Sequence, residues 1–313
     1  MGATGIRPEQ ENQLRILACA ALAGLVPALA LAQDPPRIGS CAVFPPDNPW
    51  NQDVSALPVD PGSDAYIAAM TADRAVLHPD FGENPDYGIP FVAVSGQQPV
   101  PVSFDYADES DPGPYPIPPD APIEGGDDRH ILVVDLDTCM LYELFDVRPE
   151  GDGWHAGSGA VFDLSSNALR PLGWTSADAA GLPILPGLVR YEEVEAGAID
   201  HALRVTFPAT QQAFILPATH YASDSTDPSL PPMGLRLRLR ADYDLSGYHG
   251  QARVILEALQ RYGLIVADNG SAWFISGAPS PHWDDEDLSQ LKRVPGEAFE
   301  VVTTGELIRR GDF

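Results

Sequence analysis

His130, Glu143, Asp178, His201 and Asp268 are the side chains whose type and setting could carry acid–base chemistry. His130 opens the run HILVVD directly after an acidic loop, a junction of loop and rigid strand where functional side chains concentrate. Glu143 stands mid-strand in MLYELFD and shares a face with Leu141 and Phe145. An acid among apolar neighbours loses solvation, and its pKa rises toward what a general acid needs. His201, in IDHALRVTF, alternates with Leu203, Val205 and Phe207 on one face. It is either a hydrogen-bonded core histidine or an acid, base or ligand in a concave wall. Asp178 begins the apolar segment DAAGLPILPGLVR, and Asp268 ends a strand in VADNG. Two such carboxyls with an assisting histidine could break a glycosidic bond, with retention or inversion set by their separation.

Groups that could hold a substrate accompany them. Arg236 and Arg238 alternate with leucines in LRLRLR, a stripe completed by Arg240. Such a stripe either grips a carboxylated sugar through guanidinium forks or pairs with acids on the next strand and faces solvent. Trp154 and Trp174, with Trp273 and Trp283, are available to stack on sugar faces or to fill a core. No metal or cofactor is expected. Calcium could sit only in the acidic runs DDRH, DESD and DDED; none has EF-hand spacing, and DDED reads equally as a helix N-terminus. There is no P-loop, G-x-S-x-G, H-E-x-x-H or dinucleotide fingerprint. A formal charge of -27 repels nucleic acid, anionic lipid and polyanionic polymers, so a neutral poly- or oligosaccharide is the expected partner.

Several of these residues fall within an ordered set of motifs. Asp128 and His130 form D-x-H, YELF spans 142–145, AAGLPILPGL spans 179–188, GAIDHAL spans 197–203 and RYGLIVADNG spans 261–270. As a set they resemble a family of uncharacterised secreted bacterial proteins. The resemblance covers most of the chain after residue 32 and implies no particular activity, so function rests on the chemistry of the residues.

The elements that must position these side chains are mostly strands. Glycine (28) and proline (32) are abundant, as where many short strands are joined by turns. Runs such as HILVVD, MLYELFD, GSGAVFD and AWFISG predict a mainly β fold, a single antiparallel, jelly-roll-like β-sandwich with two or three short helices, over residues 63–313. IPFVAV and VPVSFD predict a hairpin, and Ser63 a helix N-cap. The long loop from Tyr106 to Asp128 reads as a functional or a solvated excursion. Residues 33–62 form an extended proline-rich strap, and residues 178–190 a buried crossover plug broken by Pro183 and Pro186.

Residues 1–32 read as a signal peptide: Arg7 and Arg15, the apolar run ILACAALAGLVPALAL, then Ala30-Leu31-Ala32. That places the protein outside the cytoplasm, extracellular or periplasmic, with no membrane insertion. Cys19 leaves with the leader, and Cys41 and Cys139 are expected to form a disulfide. The implied function is a secreted carbohydrate-active enzyme, a glycoside hydrolase on a neutral polysaccharide. The alternatives are a non-catalytic glycan-binding or envelope protein and a polysaccharide lyase.

Overall fold

The computed structural model describes residues 1, 2, 34–71 and 75–313. Apart from its first two residues, the segment read as a signal peptide lies outside the described residues. The strap and all the named elements belong to one unit, Gln33–Phe313.

The strap opens with a small hairpin, β1 (Arg37–Ile38) and β2 (Cys41–Ala42). The Cys41–Cys139 disulfide ties it to a residue 98 positions away. Further on, Trp50 is buried and its carbonyl accepts from the Ala202 N–H at 2.7 Å. Helix α1 (Ser63–Met70) comes next. Ser63 is not its cap: the hydroxyl accepts from the Val301 N–H at 2.9 Å and so joins the helix to a distant strand.

The next three strands, β3 (His78–Asp80), β4 (Phe91–Val94) and β5 (Val102–Phe104), enter three different sheets. The hairpin expected of β4 and β5 therefore does not form. Asp137 accepts from the Ser95 hydroxyl and the Gly96 N–H, holding the chain against a neighbouring turn, and Pro99 and Pro101 have no N–H to give a ladder. A run of close turns then links β6 (Ile131–Asp135), β7 (Met140–Phe145), β8 (Arg148–Glu150), β9 (Gly153–Ala156) and β10 (Ser158–Asp163). These make a four-stranded sheet ordered β10-β7-β6-β4 and a three-stranded sheet ordered β5-β9-β8.

After the plug come α2 (Tyr191–Ala196), β11 (Leu203–Phe207), β12 (Ala213–Phe214), β13 (Arg236–Leu239) and α3 (Gly250–Arg261). The chain closes with β14 (Leu264–Asn269), β15 (Phe274–Ser276), α4 (Asp285–Leu288), β16 (Phe299–Val301) and β17 (Ile308–Arg309). The largest sheet is six-stranded, ordered β16-β13-β14-β11-β15-β3. Helix α3 buries Ala252, Ile255, Leu256 and Leu259 on one face, the spacing of an amphipathic helix. It turns into β14 at Gly263, which adopts a left-handed φ of 68° where a Cβ would lie 1.9 Å from the Leu237 carbonyl oxygen.

Strands β6 and β7 explain the layering. Leu132, Val134 and Leu141 join the main core with the plug and the six-stranded sheet, while Ile131, Val133 and Leu144 join a second core. There Tyr115 and Ile117 of the long loop and Ala156 of β9 cover them. A sheet buried on both faces reads as a continuous apolar run, which is what ILVV is. The fold is thus mainly β, with several sheets and four short helices among the described residues. The expected all-antiparallel pairing needs correction, since β11–β14, β15–β3, β4–β6 and β5–β9 are parallel. Parallel neighbours require crossover connections, and α3 lies on the one that joins β11 to β14.

Candidate active site

Arg204 is the hub of a polar cluster inside an otherwise apolar core. Its Nε and Nη2 donate to the two oxygens of Asp178 at 2.7 and 2.8 Å, Nη1 donates to the Ser276 hydroxyl at 2.6 Å, and Nη2 also reaches Asp268 at 3.2 Å. Asp178 is fully buried, as a two-pronged pairing with arginine requires if the charges are to leave water. The plug delivers it. Leu182, Ile184, Leu185 and Leu188 are buried as expected, and Gly181, at a left-handed φ of 71°, passes where a Cβ would strike the Thr219 hydroxyl and the Trp174 carbonyl.

Glu143 approaches the plug from β7. Its carboxylate accepts the Ile184 N–H at 2.8 Å and the Leu185 N–H at 2.9 Å, serving two backbone donors that the proline-broken segment leaves free. Burial pushes this carboxyl up to about 7, the two N–H donors opposing the rise. Strand alternation placed Glu143 correctly on an apolar face. The structure gives it backbone partners and no access to a ligand.

His130 is likewise buried. Nδ1 meets the Glu124 carboxylate, and Nε2 donates to the Ala177 carbonyl at 3.0 Å. Both partners are acceptors, so both ring nitrogens carry protons and the ring is an imidazolium. Burial opposes that charge, but the Glu124 contact outweighs it and pulls the pKa up. His130 therefore positions its neighbours and has no lone pair with which to act as a base. Arg129, before it, sits at a left-handed φ of 49°, a conformation costing of order 1–3 kcal/mol outside glycine. That turn sends His130 inward and leaves Asp128 exposed.

Asp128 and Asp268 face the same pocket, a cavity of about 240 Å3 also lined by Tyr106, Phe145, Ser158 and Asn269. Asp268, at the end of β14, is partly buried, and desolvation with the adjacent Asp178 charge pushes it up to about 7 against the pull of Arg204. The pocket thus pairs a carboxyl protonated near neutrality with an exposed carboxylate, beside an exposed tyrosine ring, 57% accessible. The two ends of the long loop supply Tyr106 and Asp128, while buried Tyr115 and Ile117 anchor its middle. The loop is a structured wall and not a solvated excursion. Asp128 was legible as part of D-x-H, but nothing in the sequence paired it with Asp268; Glu124 and Arg204 gave no signal at all.

The remaining candidates lie elsewhere. His201 is buried with Nδ1 on the Ala202 carbonyl at 2.8 Å and Nε2 on Glu193 at 3.0 Å, in a network with Arg190 at helix α2. Again both partners are acceptors, which is the core-histidine alternative. Arg236 and Arg238 do not face solvent. Arg236 donates to the carbonyls of Tyr262, Pro49 and Gln52; Arg238 pairs with Glu300 on β16 and donates to those of Val54, Ser55 and Leu57. The stripe holds the strap, whose proline-rich backbone has carbonyls and no ladder to use them, so neither guanidinium is available to a sugar. Trp154 is partly buried over the second core, and Trp174 is partly buried with the Arg170 guanidinium 5.6 Å from its ring centre. Neither lines the Asp128–Asp268 pocket, although Thr175, next to Trp174, does. Trp273 and Trp283 are core residues whose indole N–H groups donate to the Met70 and Ala278 carbonyls.

No group of three or more His, Cys, Asp or Glu side chains is arranged to hold a metal among the described residues. In DDED, Asp284 caps α4 by accepting from the Glu286 and Asp287 N–H groups, which is the helix N-terminus reading. No helix among the described residues is long and apolar enough to cross a membrane. No protein-family model matches the chain, and no curated protein or solved structure matches it.

Proposed function

We propose that the protein is a secreted glycoside hydrolase acting on a neutral polysaccharide, with Asp268 as general acid and Asp128 as the opposing carboxylate. The observation that carries this reading is that both carboxyls line one pocket and only Asp268 is held protonated toward neutrality by burial beside Asp178. Asp268 would protonate the departing glycosidic oxygen while Asp128 attacks the sugar or activates water. Tyr106 offers a face for the ring, and Ser158, Thr175 and Asn269 offer hydrogen bonds to hydroxyls. Arg204 and Asp178 fix Asp268, and His130 holds Glu124 and Ala177 behind the wall. In this reading the stacked sheets are a sandwich-like scaffold of jelly-roll type. The Cys41–Cys139 disulfide is compatible with a compartment outside the cytoplasm. The motif set D-x-H, AAGLPILPGL and VADNG would then mark a family built around this pocket.

The test is release of reducing ends from a panel of neutral polysaccharides. Asp268→Asn is expected to lower turnover roughly 100- to 10,000-fold, the usual contribution of a positioned acid. Activity should fall as pH rises past about 7, where Asp268 ionises. Equal activity of wild type, Asp268→Asn and Asp128→Asn would refute the assignment. A non-catalytic glycan-binding protein is the second reading, favoured by His130, both of whose ring nitrogens are already occupied. It predicts saccharide binding without reducing ends; products absorbing as unsaturated uronates would instead indicate a lyase.

A further inference from the structure

The chain of 313 residues contains a single lysine, Lys292. It lines a cavity of about 350 Å3, larger than the Asp128–Asp268 pocket, together with His78, Asp80, Phe81, Tyr87 and Asp285. Arg170, Arg190, Arg204, Arg236 and Arg238 are buried and committed to carboxylates or carbonyls. Lys292 is exposed and pairs with no carboxylate among the described residues. An unpaired ammonium in so acidic a protein, at the mouth of a cavity, suits an anionic group on a ligand.

The other walls restrict what that ligand can be. The His78 ring is stacked on Phe274, with centroids 4.1 Å apart and planes within 9°. Burial, with the nearby Lys292 charge, pulls His78 down, so the ring is neutral at pH 7. Tyr87, 59% accessible, adds a second aromatic face. Asp80 ends β3 beside Ser276 of β15, and Asp285 already accepts the Glu83 N–H at 3.0 Å. Two carboxyl groups in the cavity repel a phosphate dianion or a polyanion but accept hydrogen bonds from hydroxyls. One carboxylate, several hydroxyls and a ring with apolar C–H faces together describe a carboxylated sugar.

We propose that this cavity is a binding site for a carboxylated sugar, its carboxylate on Lys292, its ring against His78 and Tyr87, and its hydroxyls on Asp80 and Asp285. The site is separate from the Asp128–Asp268 pocket and does not depend on the reaction proposed there. Because the lysine is unique, reductive methylation of the full chain with 13C-formaldehyde labels only Lys292 and the terminal amine, giving one NMR signal inside the cavity. Glucuronate is expected to shift the Lys292 signal saturably, and glucose to leave it unmoved. A xylo-oligosaccharide bearing one glucuronate branch distinguishes the sources: tighter binding than free glucuronate points to a unit of a chain, weaker binding to the free acid. By calorimetry on unlabelled protein, Lys292→Gln is expected to weaken glucuronate at least tenfold, and Asp80→Asn to weaken it while retaining preference over glucose. Lys292 is exposed, so its substitution leaves the fold intact. No shift with glucuronate, equal shifts with glucuronate, glucose and inorganic phosphate, or unchanged affinity in Lys292→Gln would overturn the proposal.

Discussion

Glu143 offers the sharpest test of how the core is charged. Its carboxyl stands at about 7 in the folded protein against 4.5 when solvated, with burial as the main cause. Between those values the folded state binds one proton more than the unfolded state, so stability falls as pH rises. Each pH unit is worth about 1.4 kcal/mol, so this one group removes about 3 kcal/mol between pH 4.5 and 7 and nothing further above. Glu143→Gln cannot ionise. Its amide oxygen can take over the Ile184 and Leu185 N–H groups, but the amide nitrogen then has no acceptor, which costs about 1–3 kcal/mol at every pH. The variant should therefore be less stable than wild type at pH 4 and should match or exceed it at pH 8. Urea unfolding at a series of pH values measures the difference between the two proteins, in which the titration of other groups largely cancels. The quantity to read is its change, about 3 kcal/mol across pH 4.5 to 7. A difference that stays constant with pH would show that Glu143 ionises freely and that the reasoning from burial is wrong.

Two further perturbations probe the hub and the strap. Asp178→Ala strands the Arg204 guanidinium in the core and should cost about 3–5 kcal/mol in urea unfolding. It also removes the charge that helps raise Asp268, so the Asp268 carboxyl, followed by NMR titration, should move below about 7; no movement would sever the proposed coupling. Arg238→Ala leaves the Val54, Ser55 and Leu57 carbonyls without their donor. Limited proteolysis should then cut within residues 45–60 faster than in wild type, and an unchanged cutting rate would mean that the strap is held by Trp50 and the disulfide alone.

The sequence was most informative where one local rule governed. The runs HILVVD and MLYELFD announced strands β6 and β7, the prolines and leucines of 178–190 announced a buried plug, and the cysteines Cys41 and Cys139 announced one bridge. Alternation put Glu143 and His201 inside but could not say what they would meet there, because their partners lie on segments remote in sequence. For Glu143 these are N–H groups left free by a proline-broken segment some 41 residues away. The arginine stripe misled for a similar reason. LRLRLR looks like a strand with one wet face, yet that face is covered by a strap with too few N–H groups to satisfy its own carbonyls. Strand pairing was equally hidden: β4 and β5 have hairpin spacing, and only Asp137 at another turn reveals why they part.

These placements share one electrostatic logic. Five arginines, Arg170, Arg190, Arg204, Arg236 and Arg238, are buried among the described residues, where Arg204 meets carboxylates and Arg236 and Arg238 meet carbonyls, so their charge is spent inside and does little to offset the acids at the surface. Where a carboxyl is itself shielded from water, as at Asp268 and Asp80, desolvation raises its pKa and a neighbouring carboxylate adds to the rise, Asp178 for the first and Glu124 for the second. Within a cavity, an anionic ligand finds attraction where a cation remains uncommitted, as Lys292 does. Salt should accordingly affect the two pockets in different ways. Screening weakens a carboxylated sugar at Lys292, whereas it leaves binding of a neutral sugar at the Asp128–Asp268 pocket unchanged.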